Sequence, residues 1–164
     1  MADKEEEEQM ASTINLVVGT NRDGSPFYES ILVEVLGENR YRVAASPGLA
    51  QGMAAGDEIE LAPDEPLGYR ILKRGGNISV QFFWHDGDIK QCLREMEPKA
   101  KAIGGRIDGE TPGLLAFTLP VAAGFPAIEE IFQDTKTRYP GSVWMYGNVY
   151  DPADGKTPLN WWAK

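Results

Sequence analysis

The chain has 164 residues, 42% hydrophobic and 10% aromatic, with a formal net charge of −9. This is enough apolar material for one domain, or for two small subdomains sharing a core, and it excludes a disordered chain. No apolar run approaches the roughly 20 residues of a membrane-spanning helix, and the acidic balance disfavours nucleic acid as a partner.

The acidic N-terminus lacks the basic and apolar regions of a signal peptide. Cys92 is the single cysteine, so no internal disulfide forms and a reducing cytoplasm is the expected compartment. Asp3 to Glu8 holds five acids and one lysine, so nearly half of the excess charge sits there. Residues 1–11 read as an acidic flexible tail.

Residues 12–76 read as a β-rich subdomain. Ile14 to Val18 is β-prone, and Asn21-Arg22-Asp23-Gly24 supplies turn residues. Tyr28 to Leu36 places Ile31, Val33 and Val35 on one alternating face. After the Gly37-Glu38-Asn39 turn, Arg40 to Ala45 puts Tyr41, Val43 and Ala45 opposite Arg40 and Arg42. Leu49 to Ala55 is expected as a short helical turn. From Asp57 to Leu61, Ile59 and Leu61 point inward and Glu58 and Glu60 outward. Pro63-Asp64-Glu65-Pro66 forms a rigid acidic loop, and Gly68 to Arg74 is another strand. Short strands with tight turns predict a small β-barrel-like unit or a strongly bent sheet.

From Asn77 the period changes. Ile78, Val80, Phe82 and Trp84 alternate on one strand face. Asp88 is the expected N-cap of a helix, with Gln91 completing a capping box. Ile89, Cys92, Leu93, Met96, Ala100 and Ile103 follow at helical spacing, and Pro98 is expected to kink or end the helix. Arg106-Ile107 and Leu114 to Leu119 predict a hairpin. Pro126 starts a second helix with Glu129 and Glu130 in its first turn, Lys136 and Arg138 in its last, and a stripe of Ile128, Ile131, Phe132 and Thr135. Val143 to Tyr150 is the last strand. Residues 77–150 therefore predict a ferredoxin-like βαββαβ unit, and the fold class is α+β, with the barrel-like unit packed on it. Residues 151–164 form a C-terminal extension ending in Trp161-Trp162.

The search for chemistry yields no catalytic set. A nucleophile needs a base within hydrogen-bond reach, but Cys92 falls on the apolar stripe of its helix, away from a role with His85. His85, Asp86 and Asp88 are too few for a zinc site, and the start of a calcium loop at Asp86-x-Asp88 lacks the later ligands. No phosphate-binding glycine loop is present. Glu58 and Glu60 share a strand face, where solvated surface explains them better than paired carboxylates for glycoside chemistry. No cofactor or metal is expected.

The strongest interaction signal is acidic: five carboxylates fall between Asp57 and Glu65. Asp57, Glu58, Glu60, Asp64 and Glu65, with Asp86, are the candidate contacts for a basic protein partner. Trp161 and Trp162 either dock on the domain or join that surface.

Arg40-Tyr41-Arg42-Val43, Pro47, Gly52, Gly56-Asp57, Arg74 and Gly76-Asn77 together resemble a family of small bacterial proteins described as a domain of unknown function. The likeness covers most of residues 15–150. Such families resemble immunity proteins encoded beside secreted bacterial toxins. The resemblance implies a non-catalytic, cytoplasmic binding protein that occludes the active site of a nuclease-type toxin, and it brings no catalytic residues. The alternative is an enzyme or small-molecule sensor using a cleft between the subdomains, near His85, Asp86, Arg74 and Tyr69.

Overall fold

A computed structural model describes residues 11–163. The chain is mixed α+β and is built on two antiparallel sheets. The first is a five-stranded meander of β1 (Ala11–Thr20), β2 (Pro26–Gly37), β3 (Arg40–Val43), β4 (Glu58–Leu61) and β5 (Tyr69–Lys73), paired in that order. The second contains β6 (Asn77–Phe83), β7 (Arg106–Thr111), β8 (Leu114–Pro120) and β9 (Val143–Tyr146), in the order β7-β8-β6-β9. Helix α1 (Ile89–Ala102) connects β6 to β7, and α2 (Phe125–Arg138) connects β8 to β9.

Period-2 patterning builds the first sheet. Ile14 faces Ile31, Val33 faces Val43, and Ile59 lies between Tyr41 and Ile71 across the ladders. Ile14, Leu16, Ile31, Val33, Val43, Ile59 and Tyr69 form its core. The barrel expectation fails, because β1 and β5 do not pair and no closed barrel exists among the described residues. Side chains fill the gap where the missing ladder would lie: Leu49, Ala50 and Gln51 stand with Leu67 and Tyr69 against Leu16–Val18, around a groove of about 120 Å³. Ala11 belongs to β1 rather than to the tail expected over 1–11, and residues 1–10 lie outside those described.

The second core joins both helices to one face of the second sheet. Ile78, Val80, Phe82 and Trp84 meet Leu115, Phe117 and Leu119, and above them lie Ile89, Cys92, Met96, Ala100, Ile128, Ile131 and Phe132. Phe117 and Phe132 meet edge to face at 4.9 Å, a geometry that satisfies the ring quadrupoles. Asp88 caps α1 by accepting from the Lys90 N–H at 3.0 Å. Gln91 adds no return bond from its side chain, so the cap is simpler than a capping box. Helix α1 also continues through Pro98. Pro98 is exposed, so the backbone carbonyl it deprives of a partner lies on the solvent side. Helix α2 begins at Phe125, which places Glu129 and Glu130 in its second turn rather than its first.

β6 is buried on both faces, because Ser79 and Gln81 are as enclosed as the apolar residues alternating with them. The cover is residues 44–57, expected in part as a helical turn. This segment is instead irregular, yet Ala50, Met53, Ala54 and Ala55 are buried in it. An irregular buried segment must find partners for its N–H groups outside any ladder, and carboxylates supply half of those found. Glu29 accepts from Gly48, Leu49 and Ala50, at 2.7–3.2 Å. Asp108 accepts from Ser46 at 2.8 Å, and Asp57 from Ala54 at 3.0 Å. Gly52 donates to the Gly147 carbonyl at 2.7 Å. A hydroxyl relay completes the seam, as Ala55 N–H donates to Ser46 Oγ, which lies 2.5 Å from Thr118 Oγ1, and Thr118 donates to Asp108.

The closest approach between the two halves of the seam is backbone to backbone. A Cβ on Gly75 would stand 2.4 Å from the Gly56 carbonyl carbon, and Gly56 itself has φ +92°. Gly75→Ala therefore pushes the two backbone segments apart. We expect it to lower the denaturation midpoint far more than Gly19→Ala, which has open space around its Cβ; thermal unfolding of the two variants checks this.

Candidate functional site

The acidic segment divides by burial. Asp57 is fully buried, one residue before β4, and belongs to the seam. Its carboxylate accepts from the Ala54 and Gly75 N–H groups and pairs with Arg74 at 3.2 Å. Asp57 is therefore not on the partner-facing surface where the sequence placed it, because the turn at Gly56 points it inward to satisfy N–H groups. Burial pushes its carboxyl above the usual range, against the pull of those donors and of Arg74. A native pKa above the unfolded one means this contribution is complete below the unfolded value and is lost as pH rises through the raised one.

Glu58 and Glu60 do project together from β4, but each meets an arginine on a neighbouring strand. Glu58 pairs with Arg42 at 3.3 Å, and Arg42 also pairs with Glu34. Glu60 pairs with Arg70 at 2.8 Å. The β4 face is thus a cross-strand ladder of opposite charges, with little net field to offer a cation.

Asp64 and Glu65 remain. Two successive turns hold their loop, with Glu65 N–H donating to Ala62 and Gly68 N–H to Glu65. Asp64 is exposed and Glu65 half-buried, and no ion pair engages either among the described residues. Glu65 lines a cavity of about 380 Å³ with Pro66, Leu67, Tyr69, Asp151, Pro152 and Ala153. The sequence reading missed Asp151, which arrives from the C-terminal segment. Its Oδ1 accepts from Ala153, and its own N–H donates to Thr157. Nearby Asp154 is held down to about 2, chiefly by the Thr157 hydroxyl and then by the Thr157 and Lys156 N–H groups. Two carboxylates lining a slot with Leu and Pro side chains suit a Lys or Arg side chain, whose apolar stem packs while its cation pairs.

The other candidates separate from this slot. Asp86 is exposed on the loop before α1, against Gly141. Trp161 donates its indole N–H to the Asn148 carbonyl at 2.9 Å and lies under the Arg74 guanidinium at 5.4 Å. Trp162 packs edge to face on Phe125 at 5.2 Å. Both tryptophans are half-buried and dock the C-terminal segment on the second core. The final strand stops at Tyr146. Trp144 stacks on Phe132 at 5.3 Å and Tyr146 packs on Phe125 at 5.6 Å.

The residues proposed for an inter-subdomain cleft do not converge. The Tyr69 hydroxyl donates to the Gln51 carbonyl and Arg74 to the Gly52 carbonyl, so both serve the seam. His85 lines a separate cavity of about 400 Å³ with Trp84, Asp88, Lys90, Glu110 and Thr111. Among the described residues no three His, Cys, Asp or Glu side chains come together as metal ligands. Cys92 is buried, and its thiol is pushed up to about 11, first by burial and then by Glu95. At pH 8 only about one thiol in a thousand would be ionised. A disulfide reagent should therefore modify the native protein far more slowly than the denaturant-unfolded chain, a difference read directly from thiolate release.

Comparison with known proteins agrees on the fold. The chain belongs to the DUF4265 family, a domain of unknown function, matched over residues 29–140. It is similar to the crystal structure of a hypothetical protein from Neisseria gonorrhoeae, with a TM-score of 0.62 and 14% identity, covering 84% of this chain and 94% of that one. At that identity the likeness concerns the fold alone. No curated protein matches. No helix among the described residues is long and apolar enough to cross a membrane.

Proposed function

We propose that this DUF4265 protein is a non-catalytic cytoplasmic binding protein that neutralises a basic partner, a secreted bacterial toxin of the nuclease type. It would do so by covering the surface where the toxin binds phosphate. The observation behind the reading is the slot at Glu65 and Asp151, flanked by Asp64. These carboxylates lack an internal cation among the described residues, whereas Asp57, Glu58 and Glu60 each have one. A nuclease supplies Lys and Arg side chains to hold its substrate, and these are the groups the slot accepts. In this reading the second layer is a ferredoxin-like split βαβ unit, which the strand order β7-β8-β6-β9 supports. It acts as the scaffold, and the seam fixes the slot-bearing loop on it.

Occlusion needs no proton transfer and no bound group. It needs preorganised charge, which speeds encounter and fixes register. Association should therefore weaken as salt rises past physiological strength.

The reading is tested by co-expression with the product of the adjacent gene. A stable complex and protection from that protein's toxicity are expected, and the absence of both rejects the proposal. The variant Glu65→Lys/Asp151→Lys should weaken the complex by at least about tenfold, chiefly through slower association, with the fold intact by circular dichroism. Asp57→Ala should act differently. It should cost about 3 kcal/mol of stability in urea unfolding, as expected for breaking a largely buried pair whose arginine keeps some solvent access, while folded protein still binds.

A further inference from the structure

We propose that the β1 edge of the first sheet is a pairing surface for a second copy of this chain. The evidence is the contrast between β1 and the other sheet edges. Edge strands present unpaired N–H and C=O groups and are normally protected by charge, bulges or shortness. β5 carries Arg70 and Lys73. β7 carries Arg106, Asp108 and Glu110 and is bulged between Ile107 and Gly109. β9 is only four residues long. β1 runs for ten residues, Ala11–Thr20, and contains no charged residue and no proline. In a chain of net charge −9, it is the one described edge longer than four residues on which two strands can meet without bringing like charges together.

The strand is also self-complementary. Its ladder to β2 is regular from Ala11 to Val17 and shifts between Val17 and Gly19. The groove against Leu67 and Tyr69 is lined by Leu16, Val17 and Val18, so the part of the regular run clear of it is residues 11–15. Its midpoint is Thr13. A two-fold axis there sets Thr13 opposite Thr13 of the second copy on the outer face and Ser12 opposite Ile14 on the inner face, because residues directly opposite in an antiparallel pair share a face. Ile14 is buried in the first core, so the two cores would abut. Thr13 and Asn15 are uncharged and exposed in the single chain. Antiparallel pairing sets the two Ala11 residues at opposite ends of the paired run, about 14 Å apart. The contact is isologous and closed, so it stops at a dimer.

The test uses the full chain and a Thr13→Lys/Asn15→Lys variant. The substitutions are on the exposed outer face and would oppose lysines of one copy to lysines of the other. Sedimentation equilibrium should give twice the 18.1 kDa chain mass for the wild type and the single chain mass for the variant, with unchanged circular dichroism. Hydrogen exchange should show β1 amides losing protection in the variant while β6 amides keep theirs. A wild-type protein that stays at 18.1 kDa up to its solubility limit overturns the proposal. So does a variant that remains dimeric, since the contact would then lie elsewhere.

Discussion

Everything in this fold that joins its two sheets depends on an irregular segment, residues 44–57, being buried without a ladder of its own. Each enclosed N–H that lacked a partner would cost about 1–3 kcal/mol, so the segment holds only if the surrounding elements supply acceptors. They do so with carboxylates brought from distant parts of the chain: Glu29 on β2, Asp57 before β4 and Asp108 on β7. A carboxylate accepts several donors at once and makes stronger bonds to N–H than a neutral acceptor does. Three acids therefore do what a β-ladder would do elsewhere.

This arrangement changes the meaning of the acidic composition. The net charge of −9 suggests a surface designed for cations, yet several acids are committed inside or to arginines. Asp57 and Asp108 hold the seam, Glu29 binds three consecutive N–H groups, and Glu58 and Glu60 are balanced by Arg42 and Arg70. Among the described residues, Asp64, Glu65 and Asp151 stand without an ion pair where the β4–β5 loop meets the C-terminal segment. Trp161 and Trp162 matter to that site through position. By docking the end of the chain on the second core, they fix the segment that delivers Asp151.

How much was legible follows from the range of each interaction. The Ile78-Val80-Phe82-Trp84 face and the Ile128-Ile131-Phe132-Thr135 stripe were readable because period and burial coincide within one element. Asp88 was readable as a cap because capping is local. Glu29 and Asp108 were not, since their partners are 19 to 21 and 62 positions away and nothing at either residue marks it as an acceptor. Asp57 misled for a related reason. Strand alternation treats it as the neighbour of Glu58, whereas Gly56, at φ +92°, turns it inward.

The sequence by itself determined the α+β class, the strand and helix order and the two apolar cores, because each is a property of composition or short-range period. The tertiary structure alone decided that the first sheet stays open, that β6 is covered on both faces, and which carboxylates are buried or paired with arginines. Those outcomes depend on which donors a distant carboxylate meets once the chain is closed, and no local pattern encodes that meeting.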